Sequence, residues 1–154
     1  MGAYFIDSSG VVKRYLVEVG SAWMRSLTDP VAGNVIHLAR ISAVEVIAAI
    51  TRRQRAGSIT VPQAVQLCAD FRQDLIGQYR LVELSPGLFT RAMALAEQHA
   101  LRGYDAVQLA AALHVQVRRL KRGLTPLTLI SADAELNAAA VAEGLPVDDP
   151  NAHP

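Results

Sequence analysis

The 154-residue chain holds a single cysteine, Cys68. One thiol excludes an intramolecular disulfide framework and any zinc cluster built on cysteine ligands. A reducing cytosol is the simplest setting for such a chain. Aromatic residues are scarce, at 5% of the chain. The core must therefore be built from Ala, Val, Leu and Ile. Neither charge sign dominates: 15 basic residues face 14 acidic ones, a formal net charge of +1. That balance excludes a broadly basic, nucleic-acid-coating protein, so any handling of nucleic acid must be local. No apolar run approaches the ~20 residues that span a bilayer. The start lacks the basic region of a signal peptide, and Asp7 interrupts its short apolar run. A cytoplasmic protein is the expectation. Ser8-Ser9-Gly10 is too short for a phosphate-cradling loop, and no Walker or dinucleotide fingerprint occurs. His37, His99, His114 and His153 fall at no metal-ligand spacing.

What is present is a strongly apolar chain, 51% hydrophobic, the opposite of a disordered composition. Its length suits one domain. Ala3–Ile6 reads as a buried strand stopped at Asp7. Helical spacing covers Gly10–Val19 and Ser21–Leu27, and Asn34–Leu38 is a second strand. Ser42 to Arg55 reads as a buried helix, apolar all round, with Gly57 as its stop. Thr60-Val-Pro-Gln63 has the form of a capping box opening a helix to about Gly77. Arg80–Leu84 is a third strand. Ser85-Pro86 opens a helix to about Leu101, broken by Gly103. Asp105–Leu120 is another helix, Pro126–Ile130 a strand, Ala134–Glu143 a helix, and Pro146-Val147 a last strand. Strands alternating with helices predict an α/β fold whose parallel sheet is covered on both faces.

Four acids stand in unusual places. Asp7 and Asp133 lie just past the C-terminal ends of predicted parallel strands, where α/β proteins bind ligands. Glu45 is the only charge between Ile41 and Ile50, and Asp105 opens a helix with no further charge until Arg118. An ionised carboxylate among apolar neighbours is costly unless paired or bound to a metal. Asp7, Asp105 and Asp133 each admit a second reading as helix N-caps. Glu45, inside its helix, admits a partner such as Arg40 or Arg14. Carboxylates that converge need cations or raised pKa values, and all-oxygen ligand sets suit hard ions such as Mg²⁺ or Mn²⁺. One or two such ions can generate a hydroxide and stabilise the leaving oxygen of a phosphodiester.

At this point the chain resembles the PIN-domain ribonucleases, specifically the VapC-type toxins of toxin–antitoxin pairs. The matching blocks are Phe5-Ile-Asp7-Ser-Ser-Gly-Val-Val-Lys-Arg-Tyr15, Ser42-Ala-Val-Glu45-Val, Leu101-Arg-Gly-Tyr-Asp105 through Leu113, and Leu129-Ile-Ser-Ala-Asp133-Ala-Glu-Leu136. Gly144-Leu-Pro-Val147 fits the closing segment. The resemblance implies a three-layer α/β/α sandwich around a mostly parallel sheet of about five strands. Residues 1–148 would form a single nuclease domain and 149–154 a short frayed tail. It implies Mg²⁺- or Mn²⁺-dependent cleavage of RNA, one or two ions, a small cognate antitoxin and a homodimer. Asp7, Glu45, Asp105 and Asp133 would be its acidic quartet. Ser131 would orient a ligand carboxylate, and Ser8 either does the same or caps a helix. Glu135 reads as a solvated helix residue.

The basic runs Arg52, Arg53, Arg55 and Arg118, Arg119, Lys121, Arg122 favour helix C-termini electrostatically and are expected far from the acids. Lys13, Arg14, Arg40 and Arg102 lie near the acids in sequence and are the candidates for guiding RNA. Two other classes stay open. A receiver-like phosphoacceptor module would need a second acid beside Asp7 and a lysine at a late strand end, and Ser8, Ser9 and the position of Lys121 speak against it. A PIN-like interaction protein without turnover would not need an intact quartet.

Overall fold

A computed structural model describes residues 1–154. Five parallel strands lie in the order β3-β2-β1-β4-β5. They are β1 (Ala3–Ile6), β2 (Val35–Ala39), β3 (Arg80–Val82), β4 (Thr128–Ile130) and β5 (Val147–Asp148). Seven helices cover them: α1 (Ser8–Tyr15), α2 (Ser21–Thr28), α3 (Ile41–Arg55), α4 (Val61–Gly77), α5 (Pro86–His99), α6 (Gly103–Lys121) and α7 (Ala134–Ala142). Strand side chains alternate between the two faces. Ala3, Phe5, Ala39 and Leu129 enter a core with α5, α6 and α7. Ile6, Ile36, Leu38 and Ile130 enter a second core with α1 to α4. The three-layer α/β/α sandwich expected from the sequence is what forms.

The chain steps from β1 to one side of the sheet, through β2 and β3, and then crosses to the other side at β4. The crevice outside the C-terminal ends of β1 and β4 is therefore the topological switch point, the usual ligand site of such sheets. Asp7 follows β1 directly, and Ser131-Ala132-Asp133 follows β4.

Four local expectations are corrected. α1 ends at Tyr15, short of Val19, because Ser21 builds a competing turn: its Oγ donates to the Leu16 carbonyl and accepts from the Glu18 amide, both at 2.9 Å. α3 is not buried all round. Only Ser42, Val46 and Ile50 are enclosed, and Val44 is 65% exposed. One stripe seats the helix on the sheet while another flanks the crevice. α5 is closed by Ala100, which takes the left-handed conformation at φ 52°, and Gly103 instead begins α6. Residues 149–154 are seated rather than frayed. They form a 3-10 turn, Pro150 is buried, and the His153 ring stacks on Trp23 with centroids 4.0 Å apart. The capping box of Thr60 and Gln63 forms as the sequence predicts.

Candidate active site

Asp7 is 3% exposed. Its Oδ1 accepts from the Gly10 amide at 2.9 Å and from Ser9 Oγ at 2.7 Å. Its Oδ2 accepts from Ser131 Oγ at 3.1 Å. Ser131 Oγ also accepts from the Asp133 amide at 3.0 Å, so one buried hydroxyl ties the acid after β1 to the loop after β4. Asp133 caps α7 through the Leu136 amide at 2.9 Å. Asp7 and Asp133 are thus both N-caps and cleft acids, and the two readings are compatible. Asp105 is not a cap. It occupies the first turn of α6, whose N-cap position is held by Arg102.

Glu45 is half-buried on α3, and Ser8 Oγ donates to its Oε2 at 2.7 Å. Neither arginine considered as its partner reaches it. Arg40 pairs with Glu83, and Arg14 pairs with Asp74 at 3.1 Å. Gln108, one turn after Asp105 on α6, donates to Ser42 Oγ at 2.9 Å and approaches Glu45 at 3.5 Å. Its Oε1 is buried without a partner.

The electrostatics tie the acids together. Burial pushes the Asp7 carboxyl up to about 6, against the lowering hydrogen bonds of Ser9, Gly10 and Ser131, and Asp105 adds to the rise. Asp105 is raised first by burial and then by Asp133, with Glu45 and Glu135 adding to it while Arg102 opposes. Asp105 therefore feels all three other acids of the quartet, and Glu135 besides. The side chains stand around a shared crevice, and no three of them already close on one point.

Of the cationic candidates, Arg102 alone acts on an acid of the quartet, opposing the rise of Asp105. Lys13 is buried, bonded to Glu18 at 3.2 Å and to the Val19 carbonyl at 2.9 Å. Arg14 also donates to Gln78 and Tyr79, each at 2.8 Å. Arg40 is exposed and held by Glu83. Arg14 is built into the fold among Asp74, Gln78 and Tyr79, whereas Lys13, though paired with Glu18, lines the same cavity as Glu45. One basic residue expected far away is near instead. Arg52 shares a cavity of about 520 Å³ with Ser8, Ser9, Glu45 and Tyr104. Positions 45 and 52 are seven apart, which returns to the same face of a helix. Sequence reasoning missed Ser9 and Gln108 as well. The signal for Gln108 was its i+3 spacing from Asp105.

No protein-family model matches the chain. The fold and the crevice nonetheless define a class, the PIN-like α/β/α nucleases. Among solved structures, VapC20 of Mycobacterium tuberculosis, described as a sarcin-ricin loop cleaving toxin, superposes with a TM-score of 0.61 at 18% identity, over 88% of this chain and 94% of that one. A chain of a toxin–antitoxin complex from Klebsiella pneumoniae superposes with a TM-score of 0.60 at 18% identity, over 96% and 97%. Curated relatives are nearer in sequence. Ribonuclease VapC45 and Ribonuclease VapC49 of Mycobacterium tuberculosis strains are each 34% identical over 115 residues, 75% of this chain and 78% of theirs. The chain belongs to the VapC family of ribonucleases. The receiver-like alternative falls with these matches.

Proposed function

We propose that the chain is an endoribonuclease toxin that hydrolyses RNA phosphodiester bonds at the crevice between β1 and β4, with Mg²⁺ or Mn²⁺ held by Asp7, Glu45, Asp105 and Asp133. The observation that carries this reading is geometric: a buried Asp7 at the end of β1 is tied through Ser131 to the Asp133 loop after β4, with Glu45 held beside it by Ser8. Carboxylates arranged this way are relieved by a hard cation, and the four candidate ligands offer only oxygen. Acids set around a shared crevice suit an ion that keeps several of its waters, as Mg²⁺ does.

When bound, one or two such ions supply Lewis acidity toward the phosphodiester and a water of lowered pKa. The chain's own residues position the ligands. Ser9 and Ser131 orient Asp7, Ser8 orients Glu45, and Ser131 holds the Asp133 loop. Outer hydrogen bonds of this kind fix the angle at which a carboxylate is offered. Exposed Tyr104 and Arg52, on the cavity beside Glu45, are placed to meet the RNA. Structural neighbours described as VapBC and FitAB complexes support a small antitoxin as the partner. A homodimer belongs to the same reading, and light scattering would measure it. No helix is long and apolar enough to cross a membrane.

The test is cleavage of single-stranded RNA by the full chain with Mg²⁺ or Mn²⁺. Excess EDTA should abolish it, and Asp7→Asn and Asp105→Asn should each lower the rate by at least about 100-fold, a drop of roughly 3 kcal/mol in transition-state stabilisation. Undiminished cleavage in EDTA would overturn the metal's role. RNA binding with no turnover under any metal would favour the interaction-protein reading.

A further inference from the structure

A second cavity, of about 470 Å³, lies toward the C-terminal end of α6, whereas Asp105 stands in that helix's first turn. His37 from β2, Arg80 from β3, His114, Arg118 and Arg119 from α6, and Arg122 just past its end line it. Its one carboxylate, Glu83, is already held by Arg40. Elsewhere in the fold Arg14, Arg40, Arg53 and Arg91 pair with an acid, while Arg25, Arg52, Arg55, Arg72 and Arg102 stand singly rather than gathered in one cavity. None of the four arginines of this cavity pairs with an acid. Arg119 is buried, and its guanidinium donates to the Thr125 carbonyl and hydroxyl, neutral groups that leave its charge uncancelled. The His37 Nε2 is buried with no hydrogen-bond partner.

Placement at the end of α6 accounts for some of these arginines, since cations favour a helix C-terminus. It does not account for Arg80 and His37, which approach from the sheet. Burial, Arg80 and Arg119 together hold the His37 imidazole down to about 4, so these groups oppose one another across a common space. Such a constellation is relieved by an anion. A lone phosphate takes bidentate bonds from one or two guanidiniums. Arg80, Arg118 and Arg122 are all exposed and come from different elements or turns. They suit a chain of phosphates better than a single one.

α6 connects this cavity to the acids. Asp105 and Arg119 stand fourteen residues apart on one helix, about 20 Å at 1.5 Å per residue. We propose that this cavity binds backbone phosphates of a single RNA strand whose scissile bond lies at the acids. The strand's identity rests on the ribonuclease reading above, and the anion preference rests on the cavity itself.

The experiment compares Arg118→Glu/Arg122→Glu with Arg118→Lys/Arg122→Lys and the unaltered chain, each checked for an unchanged melting curve. Fluorescein-labelled single-stranded RNAs are titrated by anisotropy in EDTA, one long enough to reach from the acids to the cavity and one too short. The glutamate variant should bind the long RNA at least about 10-fold more weakly, with a salt slope reduced by about 1 to 2. It should leave the short RNA unchanged, and the lysine variant should keep most of the slope. Equal effects on both lengths, or none, would overturn the proposal. So would an acidic peptide, titrated in parallel, losing affinity for the glutamate variant while the long RNA does not. Cleavage of the short RNA in Mg²⁺ is scored separately. If it persists while the length effect is absent, the cavity assignment fails and the nuclease reading stands. If the unaltered chain cleaves neither RNA, that reading fails first.

Discussion

Asp7 shows how a single residue can serve the fold and oppose it together. Its carboxylate caps α1, yet burial lifts its titration to about 6. A carboxyl raised in the folded state binds its proton more tightly there than in the unfolded chain, whose value is near 3.8. Stability from this residue is complete below pH 3.8 and is lost as pH rises through about 6. Asp7→Asn keeps an oxygen for the Gly10 amide and removes the buried charge. In EDTA at neutral pH the variant should be more stable than the parent by about 1–3 kcal/mol, and the difference should vanish in acid. Urea titrations across this range measure it, and a variant less stable at neutral pH would contradict the assignment. The acid types and their strand-end positions were legible in the sequence. Their hydroxyl partners were less so. Ser131 and Ser8 could be named, but which acid each serves depends on side-chain direction. Ser9 escaped notice because two adjacent serines are equivalent until the first turn of α1 separates them.

At the scale of elements, periodicity located every strand and helix, and most misplacements were at ends. End positions are set by competing local hydrogen bonds, as at Ser21, which intercepts the Leu16 carbonyl. Ala100 is the strained case. A left-handed conformation costs a non-glycine residue roughly 1–2 kcal/mol. It is exposed, at a helix end, where glycine is the favoured residue. Ala100→Gly should raise stability by about 0.5–1 kcal/mol after the extra chain entropy is counted. Denaturant melts with an unchanged slope would show this, and a destabilised variant would place the strain elsewhere. α3 carries the other lesson at this scale. Its run of apolar residues suggested full burial, but a helix beside a ligand crevice can leave Val44 exposed and keep Glu45 half in solvent.

For the molecule as a whole, the closing segment matters more than its composition suggests. Gly20 stands at φ 83°, and a side chain there would meet the Pro150 carbonyl at 2.2 Å. His153 stacks on Trp23 and bonds Asp148 at 2.8 Å, locking the end of the chain over the start of α2. Deleting residues 150–154 should cost about 1–2 kcal/mol, given the worth of an aromatic pair and the buried Pro150, and lower Tm by a few degrees. An unchanged Tm would mean that the segment only rests on the surface.

The sequence by itself determined the α/β class, the nearly all-aliphatic core and which acids stand isolated among apolar neighbours or at strand ends, because periodicity and isolated charges are local facts about neighbouring residues. The tertiary structure alone decided which cations are free. Lys13 and Arg14 sit near the acids along the chain and are spent on Glu18 and Asp74. Arg52, as near to Glu45 along the chain as Arg14 is to Asp7, and Arg80, Arg118 and Arg122 have no acid partner and face open cavities. Long basic side chains take whatever partner the folded surface brings within about 4 Å, and that proximity is created by strand order and helix packing, which no local pattern encodes.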